Sequence, residues 1–311
     1  MRGHMADSPP PPASSRSRTF VRRSISTVIL WTLVGSAFAS KLAWAYFALV
    51  AVLALISTLE YFRMLKEAEV KCFPRFGILL AVAYSAAIGW FYLNSGHLAS
   101  GGKQELPAEF DLIAIFIATT GAFTLQLRYP IKGLESLQSV AFNVLGFVYI
   151  PVLFHFAARM VFLVPGPGQV PGALLLMLCL AVTKFTDMGA YLIGTLIGRH
   201  KMIPHVSPGK TWEGFVGALI IAQVVTCSFY YFFSAPDQLG VLGAWPHVIA
   251  LGFLLPLLAI VGDLAESLLK RALGAKDSGQ MLPGIGGALD LIDSLCFTAP
   301  ALYFYVKWVM P

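Results

Sequence analysis

Asp290 and Asp293 stand three residues apart in "LDLID", and upstream "GDLAESLLKR" places Asp263, Glu266, Ser267 and Lys270 at i, i+3, i+4 and i+7. At helical spacing the first pair projects its carboxylates together and the second set makes one polar face. Between them "LPGIGG", residues 282–287, is a glycine bend (Gly284, Gly286, Gly287) whose backbone amides can approach a ligand closely. Oxygen-only donors suit Mg²⁺, and acids at the start of a helix are favoured by its dipole. Lys270, Arg271 and Lys276 add positive charge and Asp277 one more acid, so eight charged residues fall between Asp263 and Asp293. Such a set would serve metal-assisted chemistry on phosphates. The plainer alternative is a charged loop flanked by caps and salt bridges.

Two further polar stations lie upstream. In "TKFTDMGAYLIGTLIGRH", Asp187 sits inside an apolar segment, where a carboxylate is costly. Tyr191, four residues on, shares its face, and Gly194 and Gly198 continue it as a smooth strip. Asp187 then either lines a polar cavity or belongs to a glycine-faced helix contact, paired with Lys184. The second station is "HVSPGKTWEG", residues 205–214, which combines Ser207, Lys210, Thr211 and Glu213 around a Pro-Gly turn. Turn amides, an ammonium and two hydroxyls suit phosphate oxygens. The element lacks the spaced first glycine of a P-loop, and taken alone it reads as a capping turn before a helix.

The elements that must hold these stations are membrane helices. The chain has 311 residues, is 57% apolar and only 12% charged, with a mean hydropathy of +0.74. That excludes an ordinary soluble domain. Nine runs are long and apolar enough to span a bilayer: about 24–40, 42–62, 76–98, 110–127, 140–163, 172–197, 215–233, 245–266 and 289–309. The expected fold is therefore an all-α polytopic bundle. Seventeen Lys and Arg fall in alternate connections and only three in the others. This asymmetry places the N-terminus in the cytoplasm and explains the net charge of +6 without nucleic acid. Residues 1–23, rich in Pro, Ser and Arg, read as a disordered cytoplasmic tail before one membrane domain, 24–311. The four cysteines have no metal or redox spacing.

The membrane domain divides by character. Residues 24–171 hold few polar groups: Glu60 is expected at the interface, and Arg159, four residues after His155, is expected to snorkel to the headgroups. Residues 172–311 hold all three stations. Nucleotidyl transfer needs this combination, since its transition state spreads negative charge over phosphate oxygens that carboxylate-held metal, Lys and Arg would neutralise.

The stretch "SLLKRALGAKDSGQMLPGIGGALDLID" resembles the signature of the phosphatidate cytidylyltransferases (CDP-diacylglycerol synthases). Ser267, Lys270, Arg271, Lys276, Asp277, Pro283, Gly284, Gly286, Gly287, Asp290 and Asp293 match it. "SPGKTWEG" and the Asp187, Ala190, Tyr191, Gly194 pattern are similar to upstream elements of that family. The resemblance implies that CTP and phosphatidate give CDP-diacylglycerol and pyrophosphate with Mg²⁺, at the cytoplasmic side of the cell's inner membrane. It further implies that Asp263, Asp290 and Asp293 hold metal and act with Lys270 in catalysis. Lys210, Lys270, Arg271 and Lys276 would face phosphates. Asp187, Tyr191, Ser207, Thr211, Glu213, Ser267, Asp277, Gly284, Gly286 and Gly287 would bind substrate. It leaves room for a second cation such as K⁺ and for a homodimer. Two positions depart from the pattern: Ile285 stands where the family usually has His, and Leu291 where it has Arg or a similar polar residue. Competing readings are a CTP-dependent polyprenol or phytol kinase, a CDP-archaeol-type synthase, a transporter, or a non-catalytic scaffold.

Overall fold

A computed structural model describes residues 28, 32–40, 42–94, 105–164, 170–235, 238–275, 277–279, 281 and 286–309. Each long apolar run there closes its backbone hydrogen bonds within itself as a helix, the form that satisfies peptide groups away from water. In chain order these are α1 (Ala43–Glu67), α2 (Pro74–Asn94), α3 (Ala108–Gln126), α4 (Leu134–Phe147), α5 (Leu153–Leu163) and α6 (Val170–Ile197). After them come α7 (Trp212–Phe232), α8 (Trp245–Ala272), the short α9 (Leu289–Ile292) and α10 (Leu295–Val309). A π-helical turn, Val148–Val152, joins α4 to α5, and with it they make one 30-residue span. Eight segments among the described residues are long and apolar enough to cross a membrane, matching eight of the nine expected. The ninth, 24–40, lies partly outside the described residues, of which 32–40 are helical; the tail 1–23 lies outside them.

One element departs from the all-α expectation. Lys201–Ile203 (β1) and Ser207–Thr211 (β2) form an antiparallel hairpin, with Lys201 opposite Thr211 and Ile203 opposite Ser207. The second polar station is thus a strand leading straight into α7. Thr211 also caps that helix, its hydroxyl accepting from the Gly214 amide at 3.1 Å.

Packing follows residue size and hydropathy. α6 and α7 touch through glycines: a Cβ on Gly214 would lie 2.7 Å from the Ala190 carbonyl oxygen, and one on Gly217 2.4 Å from Ile193. Small residues let helices approach in the way their apolar side chains alone cannot. α5 is apolar on nearly every side and is buried from Phe154 to Leu163, as a helix at the centre of a bundle should be. Phe162 stacks on Tyr92 of α2 with ring centroids 4.3 Å apart, and Phe156 meets Tyr303 of α10 edge-on at 5.0 Å.

One polar residue of the N-terminal half is not where its sequence position suggested. Arg159 does not snorkel; it is 3% exposed, and its guanidinium grips Asp111 of α3 through two bonds of 2.7 and 2.6 Å. It also donates to the Tyr84 hydroxyl at 2.7 Å, which itself donates to Asp111. A planar fork with a carboxylate partner inside the bundle outweighs a reach to the headgroups. Glu60, expected at the interface, is fully buried within the bundle.

Candidate active site

The third station assembles because α8 can touch the α9–α10 junction. A Cβ on Gly262 would lie 2.7 Å from Ser294 Cα and 2.8 Å from the Asp293 carbonyl oxygen, so only glycine permits that approach. The next residues on the same face, Asp263 and Glu266, then meet Asp293. One carboxylate oxygen from each of Asp263, Glu266 and Asp293 lies within 4.8 Å of the others. Glu266 is 1% and Asp293 5% exposed, and the Glu266 Oε1 atom has no hydrogen-bond partner among the described residues. A buried, unsatisfied carboxylate oxygen beside two other acids is costly unless something positive completes it.

The trio differs from the expected set of Asp263, Asp290 and Asp293. Asp290 lines the same cavity but is held otherwise. Its Oδ1 takes the Lys270 ammonium at 2.8 Å, and its Oδ2 accepts the Gly287 amide at 3.2 Å. Lys270 also pairs with Glu266 at 2.5 Å, so it bridges one acid of the trio to Asp290. Glu266 carried a legible signal, the i+3 and i+4 spacing to Asp263 and Lys270. Its contact with Asp293 depends on the approach at Gly262.

The hairpin and α6 complete the walls of a cavity of about 440 Å³, into which Asp187, Tyr191, Ser207, Lys210, Thr211, Asp263, Asp290 and Asp293 all open. All three stations therefore converge. Lys210 reaches across from β2 to Asp263 with an N–O distance of 2.6 Å. Asp187 is not paired with Lys184, whose ammonium donates to the Leu291 carbonyl at 3.1 Å and so ties α6 to α9. The glycine strip has a contact role as well. A Cβ on Gly194 would meet the Thr211 hydroxyl at 3.1 Å, and one on Gly198 would meet it at 2.7 Å.

Other expected binders stand outside the lining of that cavity. Glu213 turns to the hairpin base, accepting the Arg199 amide at 3.1 Å, the His200 amide at 3.2 Å and the His200 ring at 2.6 Å. Arg271 donates to the Ala275 carbonyl at 3.2 Å, closing the C-terminal turn of α8, and Asp277 is exposed. Ser267 stands one turn from Asp263, 3.5 Å away. Gly286 has φ of +117°, a left-handed value that favours glycine, with Gly287 beside it contacting Asp290. Lys276, Gly284 and the divergent Ile285 lie outside the described residues.

A helical bundle with an acid cluster, two lysines and a turn-rich hairpin around one cavity defines an integral membrane protein of the nucleotidyltransferase class. Comparison with known proteins makes this specific. The model of the cytidylyltransferase family matches residues 21–309, and the chain belongs to that family. Phosphatidate cytidylyltransferase of Mycobacterium leprae is 30% identical over 292 residues, covering 92% of this chain and 84% of the relative. The Mycobacterium bovis protein of the same name is 31% identical over 261 residues, 82% of this chain and 78% of the relative. An Escherichia coli K12 protein named YnbB, described as uncharacterized, is 35% identical over 201 residues. That match spans 64% of this chain and 65% of the relative's length, just under two thirds.

Proposed function

We propose that the protein transfers a cytidylyl group from CTP to phosphatidate, giving CDP-diacylglycerol and pyrophosphate, at the cytoplasmic face of the cell's inner membrane. The observation that carries this reading is the Asp263–Glu266–Asp293 trio, two of whose acids open with Lys210 and Asp290 into one cavity while Glu266 and Lys270 stand directly behind them. The relatives named phosphatidate cytidylyltransferase support the choice of substrates. A phosphate oxygen of the lipid attacks the α-phosphorus of CTP; a P–O bond forms there as the bond to the β-phosphate breaks, and pyrophosphate leaves with the electron pair.

The donor set fits a divalent cation such as Mg²⁺: three carboxylates supply only oxygen, and Glu266 Oε1 has no other partner. Asp263, Glu266 and Asp293 would hold it, with Asp290 close by, and when bound it supplies charge neutralisation at the phosphates. The chain's own groups bind and orient. Lys210, on a strand that lines the cavity, and Lys270, between two acids, offer ammonium groups to the triphosphate. The Ser207 and Thr211 hydroxyls offer hydrogen bonds from the same wall. Tyr191, 73% exposed on α6, puts one wall of the cavity at the bundle surface, where a lipid headgroup can enter. The positive charge concentrated in alternate connections supports a cytoplasmic active site.

The test is an assay of purified protein with labelled CTP, Mg²⁺ and phosphatidic acid. Labelled CDP-lipid is expected, with Asp290→Asn and Lys270→Ala each lowering turnover by orders of magnitude. Absence of CDP-lipid from a folded preparation, across varied lipid phosphates, would sink the proposal. Product only with polyprenol-type or archaeal-type lipids would move it to a sister reaction.

A further inference from the structure

Glu60 is the one fully buried acid on α1, and its carboxylate lies against the loop that precedes α9. Its Oε2 accepts the Leu289 amide at 3.0 Å and its Oε1 accepts the Met281 amide at 3.3 Å, partners more than 220 residues away in sequence. No lysine or arginine side chain among the described residues neutralises it. A carboxylate in such a place is costly unless hydrogen bonds to it are needed.

The two oxygens explain the residue type. Two amides converge on opposite arms of one group, and only a carboxylate offers an acceptor on each. They also explain two glycines. A Cβ on Gly279 would lie 2.7 Å from Glu60 Oε1, and one on Gly287 would lie 3.0 Å from Oε2 and against the Ser278 hydroxyl. At these two glycines the backbone comes so close to the carboxylate that side chains are excluded. The amide that Glu60 fixes at Leu289 is one residue from Asp290, and Gly287, packed on Glu60, donates to Asp290.

We propose that Glu60 is a positioning residue for the reaction: from the N-terminal half it holds the backbone at Met281 and at Gly287–Leu289, and so sets where Asp290 and the Gly287 amide stand. The assignment rests on the cytidylyltransferase reading for its kinetic consequence, though not for the loop contact itself. Glu60→Gln is the informative variant, nearly equal in size but presenting an NH₂ group to one of the two amides. Loss of one charge-assisted hydrogen bond should lower kcat by about tenfold to a hundredfold. Glu60→Asp keeps the charge but is one methylene short, and should fall between Gln and wild type.

The experiment pairs two measurements on full-length protein in detergent or nanodisc: amide hydrogen exchange of the 277–292 peptide, and CTP turnover on phosphatidic acid. Exchange across 279–289 should speed up in Glu60→Gln while exchange in α6 and α7 is unchanged, with kcat falling alongside and partial rescue by Asp. Unchanged exchange in that peptide, or unchanged kcat despite faster exchange, would overturn the proposal. So would a uniform rise in exchange over the whole bundle, which would mean that Glu60 serves folding alone. If wild type makes no CDP-lipid at all, the proposed function fails, and the exchange data still decide whether Glu60 pins the loop.

Discussion

Two buried charge clusters among the described residues are built on opposite plans. In the N-terminal half Arg159 and Asp111 form a closed pair, with both carboxylate oxygens occupied and Tyr84 bonded to each partner. At and behind the cavity wall stand the carboxylates of Asp187, Asp263, Glu266, Asp290 and Asp293, of which Asp263 pairs with Lys210, and Glu266 and Asp290 with Lys270. Carboxylates are in excess there, and one of their oxygens is unsatisfied. In the balanced pair charge is matched by charge, although Arg159 Nε has no hydrogen-bond partner among the described residues; the unbalanced cluster invites a cation and, through it, phosphates. Burial of charge alone does not mark a site, but its imbalance beside a cavity does.

Chelation should separate the two plans most sharply. EDTA is expected to abolish CTP turnover, with full recovery on adding Mg²⁺ and no loss of the folded species on size exclusion; turnover that survives chelation would refute the cation. Next in size, Glu266→Gln removes one carboxylate from the trio and should cut kcat by about a hundredfold or more, read in the same assay with melting as the fold control. The closed pair should answer in stability instead. Arg159→Met strands the Asp111 carboxylate and should destabilise by about 3–5 kcal/mol, while the protein that remains folded turns over CTP normally. Adding Asp111→Leu should recover part of that loss, and a double variant worse than the single would contradict the closed-pair account. Smallest of all, Lys71→Ala breaks an exposed pair with Glu135 and should leave both melting and turnover unchanged.

The spans were legible because hydropathy over twenty residues is a local property, and the three stations were legible because their polar residues interrupt it. What escaped was set by partners far along the chain. Nothing near Arg159 announces Asp111, and nothing near Glu60 announces the amides of Met281 and Leu289. The hairpin escaped for a different reason: "SPGKT" contains a proline and a glycine and shows no alternation, so its pairing with β1 comes from its place between α6 and α7. Asp290 is expected to hold metal on the strength of the family resemblance, and its spacing shows only that it projects with Asp293. The structure adds a contact with Lys270, whose reach from α8 no spacing within "LDLID" could reveal.

The π turn at Val148–Val152 has a consequence for the closed pair. Pro151 sits inside it, where a proline cannot donate to the ladder, and the Pro151 carbonyl meets the His155 ring at 2.6 Å. A surplus residue in a helix advances everything after it by about 100° around the axis. The bulge therefore acts as a phase dislocation. Upstream and downstream of it the same rod turns different meridians to its neighbours, and in α5, buried on every side, that phase decides which residue faces Asp111.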